Sequence, residues 1–149
     1  MQELSRVESS ESFAIKAPTG RVWAYLKELK NVGQCIPGCE ELRELGPDRL
    51  QLKIKIKIGY ISKSLVVDVS LVESKEEELL TFKGTSEDAR ILGSLSFQDS
   101  GDETILKYSL SVEAASAMGR TALTLMGKDF VRKQTELFVG CVQKRIISY

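Results

Sequence analysis

The sequence predicts an α+β fold: a strongly curved antiparallel sheet of about seven strands wrapped around a long C-terminal helix, with a short helix pair after the first strand. Three observations carry this expectation. From about residue 40 apolar residues recur with a period of two for roughly 75 residues, as in one-sided strands. From about residue 120 to 146 the period becomes helical. Ahead of both, one alternating stretch runs into a Pro-Thr helix start.

Taken in order, residues 1–6 are expected to be frayed. SESFAIKA (10–17) alternates through Phe13 and Ile15 as a half-buried strand does. Pro18 and Thr19 open the helix PTGRVWAYLKEL, with Val22, Leu26 and Leu29 at helical spacing. A second helical turn is expected over 31–35, stopped by Pro37-Gly38.

RLQLKIKIKIG (49–59) is the clearest strand. Leu50, Leu52, Ile54, Ile56 and Ile58 point one way, and Lys53, Lys55 and Lys57 the other, the solvated face of a one-sided sheet. A hairpin loop at Tyr60-Ile61 would set Gly59 against Ser62, Ile54 against Val67, Leu52 against Val69 and Lys53 against Asp68. A turn within SKEE (74–77) would set Val69 against Phe82, Leu71 against Leu80 and Asp68 against Lys83. A turn within SEDAR (86–90) pairs Phe82 with Gly93 and Leu80 with Leu95; one at Gly101-Asp102 pairs Leu95 with Tyr108 and Phe97 with Leu106. The result is one dry face and a Lys53–Asp68–Lys83 row on the other, so Asp68 reads as a cross-strand partner rather than a catalytic carboxylate. Gly84 and Gly93, on inner positions of neighbouring strands, allow a sharp bend.

In the last helix Leu123, Met126, Phe130, Leu137 and Cys141 share a narrow stripe at 100° per residue, while Lys128, Arg132, Glu136 and Gln143 fall away from it. Gln134 sits in the centre of that stripe. Buried amides need partners, so Gln134 either bonds nearby protein or water or addresses a polar group of a ligand.

At 149 residues the chain is expected to be one domain over 1–149. Lys+Arg and Asp+Glu both total 21, so no net charge draws it to nucleic acid, which is not an expected partner. No apolar run approaches a bilayer span and MQELSRVESSESF is too polar for a signal peptide; the expected address is cytoplasmic, with contact at a membrane surface left open. There is no histidine, which removes Ser-His and Cys-His nucleophiles and the usual base near neutral pH. Three cysteines cannot complete a zinc site, and no metal or other cofactor is expected. The C-I-P-G-C of residues 35–39 then reads mainly as a turn lined by small apolar residues, its thiols reduced.

One helix is narrow for such a concavity. Either the core is solid or a cavity lies between helix and sheet, and periodicity alone does not separate the two. A cavity would be walled by Ile54, Ile56, Val67, Val69, Leu80, Phe82, Leu95, Phe97, Tyr108, Leu110, Met126, Phe130, Gln134 and Leu137, a nearly apolar set suited to a hydrophobic small molecule.

The stretches FAIKAPTGRVWAYLKEL, CIPGCEEL, KIKIGYISKSLVVDVSLVE and AMGRTALTLMGKDFV together span about residues 13–140. In their order and wording they resemble the START-like (SRPBCC) superfamily, the helix-grip fold of the birch-pollen allergen and steroid-transfer domains, and within it the family of CoxG, the G component of carbon monoxide dehydrogenase. The resemblance implies an apolar cavity, a helix pair forming a V that brings Cys141 near Cys35 and Cys39, and an accessory role beside molybdenum-containing carbon monoxide dehydrogenase-type hydroxylases. It also implies help in attaching the enzyme to the membrane or in handling a hydrophobic partner such as a quinone. The sequence ends at RIISY just past the expected helix, so no membrane anchor is expected from it.

Three functions follow as alternatives. The first is a non-enzymatic carrier of a lipid-like or quinone-like molecule. The second is a cyclase/aromatase-like enzyme acting on a hydrophobic substrate in the same cavity; the meander offers it no inward carboxylate, leaving Tyr108 as its acid or base. The third is a filled-core module that docks on a larger enzyme.

Overall fold

The computed structural model describes residues 5–58 and 61–148. The elements run β1 (Arg6–Ile15), α1 (Thr19–Leu26), α2 (Leu29–Gln34), β2 (Cys39–Gly46), β3 (Arg49–Ile58), β4 (Ile61–Lys75), β5 (Leu79–Thr85), β6 (Ala89–Ser100), β7 (Glu103–Ala114) and α3 (Ala117–Ser148). The strands form one antiparallel sheet in the order β1-β7-β6-β5-β4-β3-β2. The meander of β2 to β7 follows from the two-residue period, and β1 returns to cover the free edge of β7. This is the α+β helix-grip arrangement the sequence predicts.

β1 begins earlier than expected. Ser5 O accepts the Ala114 amide at 2.8 Å and Arg6 pairs with Glu113, because the unpaired edge of β7 offers donors and acceptors that far back. The expected fraying of residues 1–4 lies outside the described residues. Helix α1 starts after Pro18, whose fixed φ suits a helix entry, and Thr19 and Thr104 share a buried hydroxyl contact of 3.2 Å that fastens it to β7. Helix α2 starts two residues before the expected turn, at Leu29.

The β5–β6 and β6–β7 registers are as expected: Phe82 faces Gly93, Leu80 faces Leu95, Leu95 faces Tyr108 and Phe97 faces Leu106. The two earlier hairpins are each displaced by two residues. Ile54 faces Leu65 and Leu52 faces Val67; Val69 faces Gly84 and Leu71 faces Phe82. A two-residue shift keeps every side chain on its face, so hydrophobic alternation cannot detect it. In β4 a bulge between Leu71 and Glu73 and a turn with Glu77 at φ 58 take up the difference. The expected Tyr60 loop, with Gly59 set against Ser62, falls outside the described residues, while Ile61 pairs with Ile58. The Lys53–Asp68–Lys83 row therefore does not form. Lys53 faces Val66, Lys83 faces Ser70, and exposed Asp68 accepts a bond from Gln51 Nε2 at 3.3 Å.

α3 is not one continuous helix: Gly127 has φ 66 and ψ −173, a conformation open essentially to glycine, and the helix kinks there. Counting 100° per residue through the kink loses phase. Beyond it the packed face is Val131, Thr135, Phe138, Val139, Val142 and Ile146, about one residue round from the expected stripe, and Leu137 is 51 % exposed. Gln143, expected outside, is half-buried for the same reason. The helix start is fixed by Ser116, which accepts the Gly119 amide at 2.9 Å and donates to Asp88 at 2.8 Å.

Candidate functional site

Packing divides the concave face in two. At one end α1 closes on the sheet. Trp23 meets Phe97 edge-on at 5.3 Å between ring centroids, and Ile15, Leu26, Leu80 and Leu106 are fully enclosed around them. At the other end the kinked α3 stands off the sheet and leaves a cavity of about 670 Å³, within the size range of small-molecule sites. Interiors otherwise pack at crystal density, so a void of this size requires the surrounding elements to hold it open.

Of the residues the sequence places on the cavity wall, Ile54, Ile56, Val67, Val69, Phe82, Leu95, Tyr108, Leu110, Phe130, Gln134 and Leu137 line it. Leu80 and Phe97 do not, because α1 covers them; the sequence reading gave the concavity to the last helix alone. Met126 precedes the kink and is likewise outside the lining. The reading missed Leu29, Val32 and Ile36 of α2 and the turn after it, Phe138 and Thr135 of α3, and Ile91 and Val112 of the sheet. The apolar spacing of Leu29, Val32 and Ile36 was the available signal. Gly84 and Gly93 line the cavity too, and a Cβ at Gly93 would come no closer than 3.7 Å to Leu110 Cδ1, so its missing side chain is space added to the cavity.

The C-I-P-G-C turn forms one wall. Gly38 has φ 80, and a Cβ there would overlap the carbonyl oxygen of Lys55; its own carbonyl accepts the Lys55 amide at 2.8 Å, so the turn is clipped to β3. Cys35 and Cys141 are joined by a disulfide, with Cα atoms 5.5 Å apart, which corrects the expectation of reduced thiols. It ties the end of α2 to α3, two elements that otherwise touch little; Arg145 Nη1 donates to Gln34 at 3.1 Å beside it. Cys39 is free. Burial pushes its thiol up, against a weaker lowering by its bond to Glu41 O. It is a poor nucleophile at neutral pH.

Charge is confined to the rim. Glu40, Lys55 and Lys57 border the cavity from exposed positions, and together with the exposed Leu137 they mark its opening. Deeper in, the polar side chains are Thr135, Gln134 and Tyr108; Ser94 also borders the space but alternates to the outer face between Gly93 and Leu95. Thr135 spends its hydroxyl on Val131 O at 3.0 Å. Tyr108 packs its ring on Phe138 at 5.5 Å, and burial pushes its phenol up to about 12, so it is a neutral donor at any physiological pH. One acid does alternate inward, contrary to the reading of the strands: Glu11 of the edge strand β1 lies across from Tyr108, outside the cavity lining. Among the described residues no group of His, Cys, Asp or Glu is placed to hold a metal, and no helix is long and apolar enough to cross a membrane.

The family described as CoxG, the G component of carbon monoxide dehydrogenase, matches residues 12–147. No curated protein sequence matches the chain at a significant level. Among solved structures, a conserved protein from Geobacillus kaustophilus superposes with a TM-score of 0.76 at 21% identity, over 95% of this chain and 96% of that one. A START superfamily protein from Mycobacterium smegmatis gives 0.74 at 15% identity over 95% and 97%. The Zhui aromatase/cyclase from Streptomyces sp. R1128 gives 0.64 at 13% identity over 95% and 93%. At these identities the structural likenesses establish the shared fold.

Proposed function

Because the chain belongs to the CoxG family of carbon monoxide dehydrogenase, we propose that it is a non-enzymatic accessory protein that carries a lipid-like or quinone-like molecule in its cavity, beside a molybdenum hydroxylase of the carbon monoxide dehydrogenase type. The observation that carries this reading is the apolar space of about 670 Å³. Burying apolar surface supplies roughly 25 cal/mol per Å², so a molecule enclosed there can be held without any charged contact. The wall offers no obvious catalytic pair: its carboxylate is the exposed Glu40 and its other inner polar groups are neutral. Native mass spectrometry and organic extraction of gently purified protein are expected to find a co-purifying apolar compound. Protein that arrives empty and takes up no quinone, sterol or fatty acid would sink the carrier role.

A second reading is a cyclase/aromatase-like enzyme. It is favoured by the shared fold with an aromatase/cyclase and by a neutral Tyr108 facing the cavity, able to donate a proton to a substrate carbonyl. Turnover of a poly-β-keto thioester that disappears in Tyr108→Phe would decide for it. A docking module with a filled core fits the cavity poorly.

A further inference from the structure

We propose that Tyr108 and Gln134 anchor an uncharged carbonyl oxygen of the bound molecule, so that the cavity selects neutral carbonyl compounds over ionised carboxylates. This rests on the carrier reading and names the chemistry of its ligand. Among the described residues neither side chain makes a hydrogen bond to the protein, although both line a nearly apolar space. A polar group left unpaired there costs about 1–3 kcal/mol, so each calls for a partner that only the contents of the cavity can supply.

Their placement brings them to one region of the wall. The Tyr108 ring lies against Phe138 at 5.5 Å, and Gln134 stands one helical turn from Phe138 on the same side of α3. Both can donate: the phenol keeps its proton because burial disfavours the phenolate, and the amide has an NH2. A carbonyl oxygen, with two lone pairs, can accept from both. A carboxylate cannot be charged there at low cost. No cation faces this region, the lysines of the lining stand at the rim, and the acid paired across from Tyr108 is Glu11, whose charge repels another anion.

The test uses displacement of diphenylhexatriene fluorescence at pH 8 by heptadecan-2-one and by palmitate, two chains of similar length. The ketone is expected to bind at least tenfold more tightly than palmitate. Tyr108→Phe and Gln134→Leu are each expected to weaken the ketone about three- to tenfold while leaving diphenylhexatriene within twofold. Palmitate binding as tightly as the ketone and falling on Lys55→Ala or Lys57→Ala would place the head at the rim and overturn the proposal. So would a ketone indifferent to both variants; in either case the carrier reading survives. If diphenylhexatriene and both chains fail to bind folded protein, the carrier reading falls and this proposal with it.

Discussion

Gly38 and Asp88 show how single residues hold the frame around the cavity. Gly38 combines a positive φ with a backbone contact that leaves no room for a side chain. Left-handed backbone costs a residue with a Cβ about 1–2 kcal/mol before the overlap with Lys55 is counted. Gly38→Ala is therefore expected to lower the unfolding free energy by at least ~1–2 kcal/mol, read from urea denaturation. Asp88 accepts from Lys63 at 2.8 Å and from Ser116, and these bonds hold its carboxyl below the ordinary value despite partial burial. The unfolded chain then binds the proton more readily than the folded one. The contribution is complete above the unfolded value of ~3.9 and is lost as pH falls through the lower folded value. Asp88→Asn is expected to flatten the acid side of the stability profile, measured as the urea midpoint at steps below pH ~4. The Pro-Gly turn could be read from the sequence; the clip to Lys55 could not, since it joins segments whose pairing depends on register.

At the scale of elements, α3 matters most. Its kink at Gly127 separates an N-terminal part packed near β1 and β7, through Leu123 and Val131, from the part that walls the cavity. Gly127→Ala is expected to destabilise by ~1–3 kcal/mol, the cost of a strained backbone conformation, and to shift the melting temperature down in a calorimeter. The disulfide ties α3 to α2 across a sequence separation of 106 residues. Constraint of so long a loop is worth about 2–4 kcal/mol. Cys141→Ser should therefore lower stability by ~2–4 kcal/mol, and reductant should lower the wild type to the same level but leave the variant unmoved. Helix existence and the inward position of Phe130 and Gln134 were legible from periodicity. The packed face beyond Gly127 was not, because one non-helical residue resets the phase of all that follow.

For the molecule as a whole, the consequential fact is that seven strands curve around more volume than three helices fill. Filling the void should separate folding from binding. Gly93→Leu would project into open space, with the nearest atoms 3.7 Å from the first added carbon. The variant is expected to fold and to lose about tenfold in affinity for diphenylhexatriene, some 1.4 kcal/mol, by fluorescence titration. Unchanged affinity in a folded variant would show that the probe binds elsewhere.

By itself the sequence determined the order of elements, the dry face of each strand and the apolar character of the last helix, since these depend on side-chain periods of 2.0 and 3.6 that every local window reveals. It also determined the absence of histidine and with it a whole range of catalytic machinery. Only the tertiary structure decided which strand positions α1 would seal and which would face open space, the two-residue registers of β3 and β4, and the joining of Cys35 to Cys141 rather than Cys39. The physical reason is common to all three. A shift of two residues leaves every face unchanged, and a void has the same apolar lining as a solid core. What distinguishes these outcomes is the distance between elements far apart in the chain, which the period of a local stretch does not encode.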